Sequence, residues 1–279
     1  MISRLFRMFQ LMGCLGVVIL LGAGCAKEEK RVKDLVKQLQ GDYAGRSAAR
    51  EELIKIGSPA VSALIKACAS EDGNLRWEAV NTLGYIKDPQ AIPAVLKVVL
   101  GDDDVHARWR AIWAIGAIDD GSVVPQLIKS LKSRDDKIVW NAAVALSAFD
   151  RPEGASILMG GLQAKDDWTR WEAVNALGRA YNEKTVAVLS AMMNKVDKNL
   201  RQEIVLSLGK IGDTQALSTL ISAISDTEPD VRWRAAMALG QIGDASAVPA
   251  LKARLKIEDN DLVKENITET LAKLEKPVS

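Results

Sequence analysis

One histidine, three cysteines and a run of three aspartates are the side chains here whose types could do metal or nucleophile chemistry. His106 is the sole histidine. A serine–histidine–acid relay therefore has one possible base, and it stands in an acidic turn, where it reads as a solvated residue. A zinc site needs three or four nitrogen and sulfur ligands. Cys14 and Cys25 fall in an apolar N-terminal stretch, which leaves Cys68 and His106 and no such set. Asp102-Asp103-Asp104 could hold a hard cation weakly, but it reads as a solvated acidic turn. No phosphate-binding glycine loop and no nucleophile elbow occurs. These residues nominate no catalytic group, no metal ligand and no cofactor. What recurs instead is tryptophan, 7 of the 13 aromatic residues. It follows arginine in LRWEAVNTLGYIKD (from Leu75), ARWRAIWAIGAIDD (from Ala107), TRWEAVNALGRAYN (from Thr169) and VRWRAAMALGQIGD (from Val231). An indole can stack, donate one hydrogen bond and cover apolar surface, which is the chemistry of contact.

The spacing of those indoles shows what positions them. Trp77 to Trp109 is 32 residues, Trp109 to Trp140 and Trp140 to Trp171 are 31 each, and Trp171 to Trp233 is 62, with Gln202 at the skipped beat. Gly84, Gly116, Gly178, Gly209 and Gly240 keep the same beat seven residues on, with Ser147 standing in once. Each unit reads as two helices of about 12 residues joined by short turns. The first is seen in QAIPAVLKVVL (from Gln90), SVVPQLIKSL (from Ser122) and SAVPALKARL (from Ser246), with apolar residues at helical spacing and Pro93, Pro125 and Pro249 near the start. Acidic turns follow, then the Arg-Trp helix. The first pair reads as Arg31 to Gln40 and Arg46 to Ile56, and Asp261 to Leu274 is a polar end helix. About eight pairs fit between residues 28 and 275.

On a helical wheel Val231, Ala235, Ala238, Leu239 and Ile242 form the core stripe, while Trp233, Met237 and Gly240 lie opposite. The tryptophans are expected to form a ladder, one rung per unit, on the face away from the core. Trp77, Trp109, Arg110, Trp113, Trp140, Val144, Trp171, Trp233, Arg234 and Met237 are the candidate partner-binding residues. The glycines are expected to keep that surface low, and Glu78, Arg110, Glu172, Glu203 and Arg234 to give it a rim of mixed sign. A mixed rim and a formal net charge of +1 do not suit a phosphate backbone, so no nucleic acid is expected. The same indoles could instead be mortar between neighbouring helices. Cys68, in SALIKACAS, reads as a core residue. Arg46, Arg76, Arg108, Arg170, Arg201 and Arg232 follow acidic turns, with Asp42, Asp72, Asp104, Asp166 and Asp230 as the obvious partners.

The first 24 residues read as a signal: Arg4 and Arg7, no acid, then the apolar LMGCLGVVILLGAG. Their loss leaves 35 basic and 36 acidic side chains, a charge of −1. Leu21-Gly22-Ala23-Gly24-Cys25 resembles a bacterial lipobox, with Gly22 where that family usually has Leu. The resemblance implies diacylglycerol on Cys25 and cleavage before it. Plain secretion after a small-residue cut, or an uncleaved anchor, are the alternatives. Residues 25–30 would be the lipidated end and a short tether, and residues 31–279 the repeats. Ala26 rather than Asp after the Cys favours the outer membrane, facing the periplasm.

Val231 to Asp244 carries Val-Arg, Ala-Ala, Ala-Leu-Gly and Ile-Gly-Asp in the spacing of HEAT-like repeats, especially the short variety named after phycobilisome lyases. The resemblance covers nearly all of the chain after Cys25. It implies an all-α, right-handed α-solenoid whose second helices line a concave surface, with an Asp–Arg ladder between units. Function is then expected to be a non-catalytic scaffold holding a protein or peptide on the concave face, with the membrane reached through Cys25. A lyase-like enzyme accessory and a glycan binder using the indoles are the alternatives. The oligomeric state is left open.

Overall fold

Polar punctuation and apolar periodicity resolve this chain into paired helices. The computed structural model describes residues 26–182 and 184–275, so the signal segment and Cys25 lie outside the described residues. Sixteen α-helices and no strand are found among the described residues. They group into two units, divided in the sequence after Asp120. The first unit holds α1 (26–38), α2 (Tyr43–Ile56), α3 (Ser58–Ala67), α4 (Gly73–Ile86), α5 (Ile92–Gly101) and α6 (Val105–Ile118). The second holds α7 (Val124–Ser130), α8 (Asp136–Ser147), α9 (Ala155–Gly161), α10 (Asp167–Leu177), α11 (Thr185–Met192), α12 (Lys198–Ile211), α13 (Leu217–Ala223), α14 (Pro229–Ile242), α15 (Val248–Leu255) and α16 (Asp261–Leu274). The eight odd–even pairs match the number expected. No described helix is long and apolar enough to cross a membrane.

The two helices of a pair are less equal than expected. From α3 onward the first helices run 7 to 10 residues, while α4, α6, α12, α14 and α16 run 14. The missing turn is a 3₁₀ segment ahead of the first helix, as at Pro89–Ala91, Thr214–Ala216 and Ala245–Ala247. The Ile-Gly-Asp phrase builds that entry. Gly212 and Gly243 close α12 and α14 with φ of 72° and 80°, a left-handed bend that glycine takes without Cβ strain. Asp213 and Asp244 then accept backbone N–H bonds of 2.8 Å from Gln215 and Ser246. At the N-terminal end, α1 already includes residues 26–30, expected as tether, and α2 starts at Tyr43 rather than Arg46.

Within each unit the second helices lie side by side, and Leu83, Leu146, Leu177, Leu208 and Leu239, six residues after the Arg-Trp beat, are fully buried. The beat glycines set how closely those helices approach. A Cβ on Gly84 would stand 2.6 Å from the Trp113 ring and 2.9 Å from the Ala114 Cβ on α6. One on Gly209 would meet Ala238 Cβ on α14 at 2.7 Å. The glycines are thus seams between helices, which corrects the expectation of a low open surface beside the rings. Gly84→Ala is expected to cost about 1–3 kcal/mol by forcing α4 and α6 apart, measured as a fall in the urea midpoint.

Cys68 is buried, and its burial pushes the thiol pKa up to about 12. In a Cys14→Ser, Cys25→Ser background the folded chain is expected to resist a disulfide-exchange reagent at mildly alkaline pH and to react fully in denaturant. Rapid reaction of the folded chain would contradict this burial.

Candidate functional site on the second helices

The arginines of the Arg-Trp phrase are structural, but not through the partners expected. Asp72, Asp104 and Asp166 cap their own helices, accepting N–H bonds from Asn74 (2.9 Å), His106 (2.8 Å) and Thr169 (2.8 Å). Arg76 reaches instead to the following turn, where Nε and Nη2 bond the Asp102 carboxylate at 2.6 and 2.7 Å. Arg201 grips Asp226 at 2.8 and 3.0 Å, and Arg232 grips Glu258 at 2.8 and 2.6 Å. In the other direction Arg76, Arg108, Arg170 and Arg232 each donate Nη1 to a carbonyl six residues back, those of Ser70, Asp102, Ala164 and Asp226. The gripped acid also shapes its own turn: Asp102 accepts the Asp104 N–H at 2.8 Å and Glu258 the Asn260 N–H at 3.0 Å. Asp102 is therefore buried, not part of a solvated acidic turn. Burial alone would raise the Asp102 and Asp226 pKa values; the bidentate arginines outweigh it and hold both below the usual carboxylate range.

In the first unit the indoles gather around a cation. The Arg110 guanidinium lies 4.8 Å from the Trp77 ring centroid, 5.1 Å from Trp113 and 5.9 Å from Trp109. This is cation–π geometry, so Arg110 sits inside the aromatic cluster and not on a charged rim. Tyr85 adds a tilted contact to Trp113 at 5.0 Å. Trp109 and Tyr85 keep 42% and 52% of their surface exposed. Sequence reading missed Tyr85, which lies eight residues after Trp77 and so on the same helical face.

In the second unit the candidates part company. Trp140 is half-buried, donates Nε1 to Glu172 Oε2 at 2.6 Å and sets its ring tip against Gly161 of the next pair. It is mortar. Val144, expected beside it on the groove, is buried at 5% and so offers no open surface there. Trp171 is half-buried, and Trp168 leans on it with centroids 5.3 Å apart. Trp168 lies off the 31-residue beat, which is why the periodic pattern passed it over. Trp233 is exposed, with Arg234 and Met237 half-buried beside it.

The acids expected on a rim also turn inward. Glu78 is bonded by Arg50 of α2 at 3.0 Å, and Glu203 by Asn175 of α10 at 2.7 Å; both acids are buried. With Glu172 taken by Trp140, each of these acids joins its helix to the one before. The residue after the tryptophan beat faces the preceding helix, a direction that a single-helix wheel does not register.

The comparisons place this geometry. A model described as HEAT repeats matches residues 32–106, 94–178 and 185–272. No curated protein sequence matches the chain. Among solved structures, the chain is similar to Escherichia coli YibA (19% identity, TM-score 0.55, 90% of this chain and 97% of that one). It is also similar to importin beta (14% identity, TM-score 0.61, 87% of this chain and 41% of that one). A weaker likeness joins it to the phycocyanin lyase complex of Nostoc (18% identity, TM-score 0.49, 77% of this chain and 94% of that one). These likenesses concern fold. With paired helices throughout the described residues and the repeat model matching most of its length, the chain belongs to the family of HEAT repeats.

Proposed function

We propose that this chain is a non-catalytic binding scaffold, tethered to the bacterial cell envelope by a lipid on Cys25, that holds a protein or peptide on its second helices. The observation that carries the reading is the first-unit cluster, in which Trp77, Trp109, Trp113 and Tyr85 surround or adjoin Arg110 and remain partly open to solvent. Aromatic and arginine side chains fixed by one another are what recurs at the centres of protein interfaces. Arg110 is pre-positioned by its rings, so a partner that meets it pays little ordering entropy. HEAT repeat proteins often bind protein partners, which supports the same reading. The anchor rests on the sequence alone, on the lipobox-like stretch ending at Cys25.

The test is crosslinking of the native, membrane-bound protein in its envelope, followed by identification of what is caught. A Trp109→Ala, Tyr85→Ala double variant is expected to lose the crosslinked species while keeping its melting temperature within a few degrees. Unchanged capture by that variant would remove this cluster as the docking surface. For the anchor, wild-type chain is expected to incorporate labelled fatty acid and Cys25→Ser none. Equal labelling, or none in either, would remove the lipid.

A further inference from the structure

We propose that the depression between the N-terminal ends of α10 and α12 binds an alkylammonium cation. The depression has a volume of about 350 Å³. One wall is the indole pair Trp168 and Trp171, three residues apart and so on one face of α10, with rings inclined by 31°. Trp168 is 43% exposed, and among the described residues no hydrogen bond like that of Trp140 is found for it. The opposite wall is the first turn of α12, with Asp197, Asn199 and Leu200.

Charge decides what fits. Arg170 lines the same depression, but its guanidinium is spent on the Ala164 and Lys165 carbonyls and the Asp167 carboxylate. That pair cancels. Asp197 is the lining charge left over. It caps α12 through Oδ1, which accepts the Asn199 and Leu200 N–H groups at 2.8 and 3.1 Å, and its second oxygen remains available as an acceptor. Indole faces carry negative quadrupole potential, so rings and carboxylate together select a positive group with an apolar skin. A lysine tip and a trimethylammonium head share that description.

The junction also lacks an ion pair found at others. Arg76, Arg201 and Arg232 each draw in an acid 25 or 26 residues ahead. The corresponding positions after Arg170 are Lys195 and Val196, which have no carboxylate to offer. No acid is pulled across this junction, and the depression lies there. The inference does not depend on what the first-unit cluster binds.

The experiment is a tryptophan-fluorescence titration of the full chain at constant ionic strength. Choline chloride and Nα-acetyl-lysine amide are the two cationic probes, and dimethylbutanol is the uncharged isostere of choline. Saturable quenching by at least one cation is expected, with the stronger of the two telling a headgroup from a protein side chain. The isostere should bind roughly tenfold more weakly or worse, a difference of about 1.4 kcal/mol. Trp168→Ala should abolish the response. Asp197→Asn keeps an equally good helix cap and should weaken binding roughly tenfold without moving the melting temperature. Equal binding of the isostere, a response that survives Trp168→Ala, or saturation by glucose with none by either cation would overturn the proposal.

Discussion

Glu258→Gln lowers the stability of the C-terminal pairs by about 3 kcal/mol or more, the usual cost of breaking a buried ion pair on one side. The Glu258 side chain is wholly buried and receives Arg232 on both oxygens and Arg254 Nε at 2.8 Å. Gln offers one acceptor oxygen and an amide that faces two guanidinium groups. In an array stabilised by nearest neighbours, the loss should appear as early melting of α15 and α16, resolved by hydrogen exchange. A variant that melts in one transition at the wild-type temperature would refute it. The pH dependence follows with a definite sign. Burial alone would raise the Glu258 pKa, but Arg232 and Arg254 depress it well below the usual carboxylate range, and Asp102 and Asp226 are depressed as well. A depressed folded pKa means stability that is fully present above the unfolded value, about 4, and is lost as pH falls through the folded one. Thermal melts should therefore be flat from neutrality to about pH 5 and fall steeply below about pH 4. Glu258→Gln should show a shallower acid limb.

Trp140→Ala should cost about 3 kcal/mol or more, the range for deleting a large aromatic packed against neighbours. The ring joins α8 to both helices of the following pair, and its removal also breaks the Nε1 hydrogen bond to Glu172. Trp109→Ala should cost about 1 kcal/mol or less, because that ring is open to solvent and contributes one outer cation–π contact. Urea denaturation of the two variants side by side checks the contrast. Equal losses would mean that one residue type plays one role at both beats.

That contrast marks how far the sequence could be read. The 31-residue beat, the helical pairs and the end helix Asp261–Leu274 were legible, because each depends on spacing along one helix. What lay between helices was not. Every acidic turn offers several carboxylates within a few residues, and pattern alone does not tell Asp104, which caps, from Asp102, which reaches back to Arg76. A wheel has an inside and an outside, but a second helix has two flanks as well. Glu78, Glu203 and the beat glycines sit on those flanks, and so a two-sided picture sent them outward. Trp168 was hidden differently: it belongs to no periodic position, and sites off the period are where an individual repeat is free to differ from its siblings.

The reach of the arginines also accounts for the length of the repeat. Arg76 to its acid is 26 residues, and from that acid's carbonyl to Arg108 is six, which spells 32. Arg201 to Asp226 is 25, and from there to Arg232 is six, which spells 31. The long arm varies by one residue, taken up around the first helix, and so does the short arm, which is six at Arg76, Arg108, Arg170 and Arg232 and five at Arg201, where Nη1 reaches the Val196 carbonyl. A guanidinium with one hand on each side of a bend thus acts as a gauge. A copied module that keeps both acid and arginine near this spacing is tied to its neighbour by an ion pair, whereas one that drops the acid, as after Arg170, is joined by helix packing without that pair.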